Sequence, residues 1–334
     1  MKPVRWGILS TAKIGRTRAV PGMMKSPLCD VVAVASRNQT AAQDMASELG
    51  IAKAYGSYEA LLADPDIEAI YNPLPNHLHV PMTLAAAAAG KHVLCEKPVA
   101  ITAAEAEQLR NAPAQVLIAE AFMVRHHPQW HRVRDFVRAG EIGAPRAIQV
   151  AFSYFNDDPG NIRNRADIGG GGLLDIGCYA VVAGRYFFEA EPVRAIALID
   201  RDEDFAVDRT TSALVDFGAG RQLAFTVSTQ AVPFQRVQIL GAKGRIEIEI
   251  PFNAPVDRST RIFVDDGSLH GGRSARTIEI PTADQYQLQG EAFSRAVRGA
   301  EPLLHGIEDA LQNMRILDAL QRSEKSSAWE RIVR

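Results

Sequence analysis

Short apolar segments alternate with helix-forming segments over the first third of this 334-residue chain, and this alternation limits the fold more than any other feature. Patterns typical of buried strands occupy residues 4–9, 31–35, 67–71, 92–95 and 116–121. Helices are predicted from about Ile14, over 40–49, over 58–62 behind Ser57, over 79–89, and from the capping-box residue Thr102. This spacing indicates βαβ units, a parallel sheet and a doubly wound nucleotide-binding fold.

The period of the pattern changes to two after residue 121. From Pro145 onward polar or small residues alternate with apolar ones, as they do again over 223–227 and 246–250, and residues 216–221 indicate a hairpin loop. Helices are predicted over 129–139 and, with an interruption at 299–302, over 284–321. We therefore predict two domains: a dinucleotide-binding Rossmann domain over 1–121, and an α+β domain for substrate binding and oligomerisation over 122–334.

The second domain is predicted to hold an open-faced, mostly antiparallel sheet with helices on one face. The uncovered face predicts a second subunit, and hence a homodimer or homotetramer.

Charge and cysteine content exclude several classes of function. The formal net charge is −2 with both signs interspersed, which argues against a nucleic-acid partner. No apolar stretch reaches the ~18–20 residues of a membrane span, and the N-terminal residues lack a signal-peptide pattern. The three cysteines are too widely spaced for a disulfide framework or a zinc site. We expect no membrane, no metal and a cytoplasmic location.

The turn after the first strand is a degenerate dinucleotide fingerprint running from Gly7 to Gly15. Its middle glycine is replaced by the small residues Ser10, Thr11 and Ala12. Its position, between the first strand and a helix that starts near Ile14, is where amide groups bind a pyrophosphate.

The end of the second strand indicates which dinucleotide binds. NAD enzymes usually place an acidic residue there, whereas this chain has Ser36-Arg37-Asn38. A guanidinium next to a hydroxyl suits a 2′-phosphate, so we predict NADP, with NAD as the alternative. A solvated arginine in a turn would give the same sequence.

A lysine is expected at the carboxyl end of the strand over 92–95, in the run Glu96-Lys97-Pro98. Pro98 restricts Lys97 to extended geometry, and a residue at that strand end faces the ligand crevice of an open α/β sheet. The alternative is a solvated turn.

A second group of candidate residues follows the glycine run 169–172. Four glycines cost backbone entropy, so the run indicates that the backbone approaches something closely. If a helix starts at Leu173, Asp175 and Tyr179 share one face, as a carboxylate and a phenol for proton transfer would. A core tyrosine behind an N-terminal aspartate is the alternative.

Taken together, these motifs resemble the glucose–fructose oxidoreductase and inositol dehydrogenase family. The resemblance rests on the glycine turn, Asn76-His77-Leu78-His79, Glu96-Lys97-Pro98, the segment 119–123, and the glycine run with Asp175 and Tyr179. The chain is most similar to the branch with dimeric dihydrodiol dehydrogenase and NADP-dependent xylose dehydrogenase, which has a tyrosine where Tyr179 stands.

The resemblance implies a nicotinamide between the two domains, near Lys97. Lys97 and Tyr179 would be the catalytic proton-transfer residues, and Asp175 would orient the sugar. Substrate contacts would come from His79, Arg125, Asp175 and Tyr179. The implied cofactor-binding set is Gly7, Ser10, Thr11, Ala12, Ile14, Ser36, Arg37, Leu74, Asn76, Glu96, Lys97 and Arg163.

The predicted function is hydride transfer between NADP and a hydroxyl of a sugar, polyol or diol, for example an aldose at C1. Two alternatives on the same scaffold stay open. One is a glycosidase-like enzyme with tightly bound NAD, and the other is a catalytically silent NADP-sensing regulator.

Overall fold

The computed structural model describes residues 1–333, which form two compact units. Unit 1 comprises Met1–Met123 together with Asp284–Leu311, and unit 2 comprises Val124–Ala283 together with the segment that starts at Gln312. Unit 1 is therefore built from two separate stretches of the chain. The cofactor and substrate roles assigned to 1–121 and 122–334 stay predictions.

Unit 1 contains a six-stranded parallel sheet. Its strands are β1 (Val4–Leu9), β2 (Cys29–Ala35), β3 (Lys53–Tyr55), β4 (Ala69–Asn72), β5 (His92–Cys95) and β6 (Ile118–Glu120). They are ordered β3-β2-β1-β4-β5-β6, and every neighbouring pair is parallel. The predicted doubly wound sheet is confirmed, and the direction of winding reverses between β1 and β4, where such sheets bind their ligands.

The helices largely begin where capping residues predict. Their bounds are α1 (Val20–Met23), α2 (Gln39–Leu49), α3 (Tyr58–Leu62), α4 (His79–Ala88), α5 (Ala103–Glu107), α6 (Pro128–Arg138), α7 (Cys178–Phe188), α8 (Gln285–Val297) and α9 (Ile307–Ser326). The Ser57 side chain caps α3 by accepting from the Ala60 amide, and the Thr102 side chain caps α5 by accepting from the Glu105 amide. Both predicted caps are confirmed.

Two helices start with a π-helical turn in place of the predicted α-helix. Gly15–Ala19 leads into α1, and Leu173–Gly177 leads into α7. Hydrogen bonds in such turns span five residues instead of four, a difference that amino-acid composition does not reveal.

The stretch Asp284–Leu311 belongs to unit 1 because α8 completes that unit's core. The Trp6 indole lies 5.4 Å from the Phe293 ring, centroid to centroid, and its Nε1 donates to Ser294 Oγ at 3.3 Å. Since Trp6 lies on the central strand β1 and is fully buried, α8 covers the middle of the sheet.

Unit 2 contains a nine-stranded sheet. Its strands are β7 (Pro145–Phe155), β8 (Arg194–Arg201), β9 (Asp208–Asp216), β10 (Gln222–Ser228), β11 (Gln230–Gly241), β12 (Arg245–Ile248), β13 (Thr260–Asp265), β14 (Arg276–Ile280) and β15 (Glu330–Arg331). The order is β14-β13-β12-β11-β7-β10-β9-β8-β15, and only the β7–β10 pair is parallel. The mostly antiparallel sheet is confirmed, as is the hairpin between β9 and β10.

The two faces of this sheet differ in burial. On one face α7 packs so closely that a Cβ at Gly184 would lie 2.9 Å from Leu223 and from Phe217. On the other face Leu198 is 78% exposed and Leu214 is 47% exposed. We call this second surface the open face of unit 2.

One helical run has the length and composition of a membrane span. It covers Ala166–Phe188, with a mean hydropathy of 1.3 over its most apolar window. Asp175 and Arg185 interrupt the apolar residues of this run, so it is not a continuous apolar stretch of ~18–20 residues, which is what the sequence prediction excluded. Since 78% of the window is buried within the protein, the run has the character of a core helix.

Candidate functional site

The turn after β1 joins three strand ends of unit 1. Ser10 has a left-handed backbone, with φ of +88°, and its amide donates to the Ala35 carbonyl at 2.8 Å. Its hydroxyl oxygen accepts from the Ala12 amide at 3.2 Å and donates to the Pro73 carbonyl at 3.4 Å. The turn is therefore fixed to the ends of β2 and β4, at the switch point of the sheet.

The neighbouring predicted residues fit a phosphate cradle. Thr11, Ala12 and Ile14 are partly exposed at the start of the helical run 13–23. The first amides of a helix have no acceptor within the helix, so they can bind a phosphate. Gly7 is not part of this turn. It lies inside β1, where an added Cβ would be 2.8 Å from the Leu61 side chain. This placement favours a packing role for Gly7 over the predicted cofactor contact.

Arg37 is exposed at the carboxyl end of β2. Its positive charge lies close enough to the Tyr58 hydroxyl to oppose the rise that burial causes in the pKa of Tyr58. Ser36 next to it donates its amide to the Tyr55 carbonyl at 3.0 Å and accepts from the Asn38 amide at 3.2 Å. A cation and a hydroxyl thus lie together at the strand end where the ribose of a dinucleotide is bound in this fold.

Glu96 and Lys97 follow the last residue of β5. The Glu96 carboxylate accepts from the Tyr71 hydroxyl at 2.6 Å and from the Lys97 amide at 3.2 Å, and the Glu96 amide donates to the Asn72 carbonyl at 3.0 Å. Glu96 is thereby held between β4 and β5. Lys97 is half-buried at the carboxyl edge of the sheet, and its role in a ligand crevice stays a prediction.

His79 is only 1% exposed and lies among backbone carbonyls. Its Nδ1 is 2.7 Å from the Pro98 carbonyl and its Nε2 is 2.6 Å from the Leu74 carbonyl. Burial lowers the pKa of His79 to about 4, so at neutral pH the ring carries one N–H for these two acceptors. These contacts favour a positioning role, in which His79 joins the loop after β4 to the loop that carries Lys97, over direct contact with substrate.

Two buried polar residues of unit 1, Asn72 and Glu120, are absent from the predicted site residues. Asn72 donates to the His79 carbonyl at 3.1 Å and to Thr83 Oγ1 at 3.2 Å, and it accepts from the Leu74 amide at 3.4 Å. Glu120 accepts from the Val99 amide at 2.8 Å. Both stand at the carboxyl end of an apolar strand, and that position is the signal that would have identified them. Asn76 is partly exposed in the turn that precedes α4.

Unit 2 brings two polar side chains, those of Arg163 and Tyr154, together around Asp175. Its Oδ2 accepts from Arg163 Nε at 2.9 Å and from the Tyr154 hydroxyl at 2.6 Å. The carboxylate raises the pKa of Arg163, and burial followed by the Asp175 charge raises the pKa of Tyr154. Arg163 is thus an ion-pair partner of Asp175, and its predicted cofactor contact stays a prediction. Tyr154 is absent from the predicted set.

Tyr179 is buried, 6% exposed, among aromatic rings. Its ring centroid lies 5.8 Å from that of Phe152 and 5.3 Å from that of Phe252. Asp175 lies in the π-helical turn and Tyr179 in the first turn of α7, so the two residues still occupy successive turns of one helical run. Such π-turns frequently occur at functional sites.

Arg125 and Asp208 complete the polar residues of interest in unit 2. Arg125 is buried in the turn Met123–His126, and its carbonyl accepts from His131 Nε2 at 2.8 Å. Its predicted substrate contact stays a prediction. Asp208 is absent from the predicted site residues, and its side chain accepts from the Leu173 amide. Across residues 1–333, no group of three His, Cys, Asp or Glu side chains has an arrangement suited to a metal ion.

Two family models match the chain. One, described as an oxidoreductase family with an NAD-binding Rossmann fold, matches residues 4–116, and the GFO/IDH/MocA C-terminal domain matches residues 130–247.

Relatives are similar to this chain over nearly its whole length. The chain is 45% identical over 334 residues to the uncharacterized oxidoreductase ORF334 of Rhizobium meliloti, with 99% of this chain and 100% of that protein covered. It is 37% identical to D-xylose 1-dehydrogenase (NADP(+)) 2 of Haloferax volcanii, with 97% and 98% covered. Among solved structures, KijD10, a 3-ketoreductase from Actinomadura kijaniata in complex with NADP and TDP-benzene, is 31% identical, with a TM-score of 0.89 and coverage of 96% and 98%.

Proposed function

Since the chain belongs to the GFO/IDH/MocA oxidoreductase family, we propose that it transfers a hydride between NADP and a hydroxyl of a sugar, polyol or diol, such as an aldose at C1. The observation that carries the proposal is the set of side chains at the carboxyl edge of the unit 1 sheet. Ser10, Arg37 and Lys97 follow β1, β2 and β5, at the edge where this fold binds dinucleotides.

The residues of unit 1 fit an NADP molecule. The amides after Ser10 would hold the pyrophosphate, and Arg37 with Ser36 would hold the 2′-phosphate, which an acidic residue at this strand end would repel. A relative that is 37% identical is named as an NADP-dependent xylose dehydrogenase, which supports this preference. Asn76, Glu96 and Leu74 would line the nicotinamide side.

The chemistry assigned to the chain is proton transfer and substrate orientation. When bound, NADP supplies the hydride acceptor. Lys97 and Tyr179 are the proposed proton acceptors for the substrate hydroxyl, and which of them acts first stays open. The Asp175 carboxylate, held by Arg163 and Tyr154, would accept hydrogen bonds from sugar hydroxyls.

The test is a panel of aldoses, inositols and diols with NADP and with NAD, read by nicotinamide absorbance. We expect turnover with at least one member, xylose and glucose being tested first, and a preference for NADP. Lys97→Met and Tyr179→Phe should each lower kcat by at least about a hundredfold while NADPH still binds, because positioned acid–base groups contribute ~10²–10⁴-fold.

Three outcomes would contradict the proposal. Near-normal rates in both variants would remove the catalytic assignment. A cofactor that co-purifies, together with cleavage of a glycosidic bond and no net absorbance change, would indicate the glycosidase-like alternative. NADPH binding without turnover of any panel member would indicate the sensing regulator.

We also infer that the open face of unit 2 is buried in a homodimer or homotetramer in the cytoplasm. Leu198 and Leu214 are exposed on it, and exposed apolar patches mark association surfaces. Cys29, Cys95 and Cys178 are buried, and no disulfide occurs in the described part of the chain, as suits a reducing compartment. Light scattering should show that Leu198→Arg yields monomers, and a wild-type monomer at micromolar concentration would contradict the inference.

A further inference from the structure

Two glycines of the run 169–172 are required by close approaches of the backbone to other groups. A Cβ at Gly170 would lie 2.4 Å from the Arg163 carbonyl oxygen, and a Cβ at Gly171 would lie 2.0 Å from Asp208 Oδ1. Gly171 also has a φ of +111°, which other residues rarely adopt. At Gly172, by contrast, the nearest atoms would be 3.4 Å away, so an alanine fits. At Gly171 the backbone therefore makes room for the side chain of Asp208.

The side chain of Asp208, the first residue of β9, lies at the start of the helical run that carries Asp175 and Tyr179. Gly172, the residue before the π-helical turn, has no side chain to cap it. The Oδ2 atom of Asp208 accepts from the Leu173 amide and from Thr211 Oγ1 at 3.3 Å. Asp208 thus acts as a helix cap contributed by β9, with its negative charge at the positive end of the helix dipole.

We propose that Asp208 is a positioning residue, whose buried side chain fixes the start of this helical run and thereby the placement of Asp175 and Tyr179. The proposal rests on the function proposed above, in which these two side chains meet the substrate. Asp175 is two residues beyond the capped amide of Leu173, so a loss of the cap acts first on the turn that holds its carboxylate.

The surroundings of Asp208 make its ionisation dependent on pH. Its carboxylate faces the Leu173 amide from the π-helical turn, Thr211 from β9, Arg201 from β8 and Tyr154 from β7. Burial raises the pKa of Asp208 to about 6, although the hydrogen bonds and Arg201 oppose the rise. A protonated carboxyl is a poorer acceptor, so the cap weakens as pH falls through about 6.

The test compares Asp208→Ala and Asp208→Asn with Asp266→Asn in the full-length protein. Asp266 is a suitable control because it is exposed in the turn after β13, where it accepts from the Ser268 amide at 2.9 Å. One readout is hydrogen exchange of the peptide spanning Leu173–Gly177. The other is kcat between pH 5 and pH 8 with NADP and the best sugar of the panel, alongside NADPH affinity.

We expect Asp208→Ala to accelerate exchange and to lower kcat, each by about tenfold, a loss typical of a removed cap, with unchanged NADPH affinity. Asp208→Asn retains an acceptor oxygen and should restore both, but without the wild-type decline in kcat below about pH 6. Asp266→Asn should match the wild type throughout.

Two results would overturn the inference. One is an Asp208→Ala protein that matches Asp266→Asn in exchange and in kcat. The other, which decides the matter if Asp208→Ala does not fold, is an Asp208→Asn protein whose exchange over Leu173–Gly177 keeps the wild-type pH dependence. If the wild type turns over no panel member, the proposed function fails, while the exchange comparison still decides the role of Asp208.

Discussion

Replacing Asp208 with asparagine should stabilise the protein at neutral and alkaline pH, although the native residue serves the site. Burial raises the pKa of Asp208 from 3.8 to about 6. Because the folded value is the higher one, the native state binds the proton more tightly than the unfolded state. The contribution of Asp208 to stability is therefore fully present below about pH 3.8 and is lost as pH rises through about 6.

The magnitude follows from these two values. At about 1.4 kcal/mol for each pKa unit, the ionised carboxylate costs the folded state roughly 3 kcal/mol at pH 8 relative to the protonated group. At pH 5 the cost is about half as large. Asparagine has nearly the same shape and still accepts from the Leu173 amide, but it does not titrate.

Urea unfolding of Asp208→Asn and of the wild type at pH 5 and pH 8 measures the effect. The gain in the free energy of unfolding should be larger at pH 8 by about 1–2 kcal/mol. Comparing the two proteins at the same pH cancels the other titrating groups. A difference that does not change with pH, or that favours the wild type more at pH 8, would refute the reasoning.

Three further predictions rest on single positions. Gly171→Ala should lower the free energy of unfolding by at least about 2 kcal/mol, because the backbone of Gly171 has a positive φ and a Cβ there would collide with Asp208. Gly172→Ala should change the free energy of unfolding by less than about 1 kcal/mol, and equal shifts in the melting temperatures of the two variants would contradict this prediction. His79→Gln should lower the free energy of unfolding, measured with urea at pH 7.5, by about 1–3 kcal/mol. This difference from the wild type should shrink as pH falls from 6.5 toward about 4, because the neutral His79 of the wild type loses its stabilising contribution over that range. A difference that grows at low pH would argue against the prediction. Arg37→Ala should weaken NADP binding by roughly tenfold to a hundredfold and leave NAD binding unchanged, as calorimetry can measure; equal losses for both dinucleotides would remove the role of Arg37.

Local signals in the sequence were sufficient for most of the regular structure. The bounds of β1 and β5 were predicted to the residue, because both are short apolar runs with clear ends, and the caps at Ser57 and Thr102 have their expected bonds. The edge strand β3 was missed because Lys53–Tyr55 offers only three residues and no apolar run.

Features that depend on distant contacts were not predictable in the same way. Asp208 and Leu173 are 35 positions apart, so nothing near either one indicates the bond between them. The glycine run did indicate a close approach, although not which group approaches. Likewise, the residues of α8 have an ordinary helical pattern, and only the contact between Phe293 and Trp6 shows which unit they complete.

The split make-up of unit 1 has a consequence for biosynthesis. A nascent chain that has emerged only to Met123 carries all six strands of the parallel sheet, but it lacks the helix that shields Trp6. Until Phe293 has been translated, the Trp6 side chain lacks this contact and is accessible to solvent and to chaperones. The stretch Val124–Ala283 of unit 2 is thus translated between the two stretches of unit 1, so a chain cut after Met123 would leave the parallel sheet without the helix that covers Trp6.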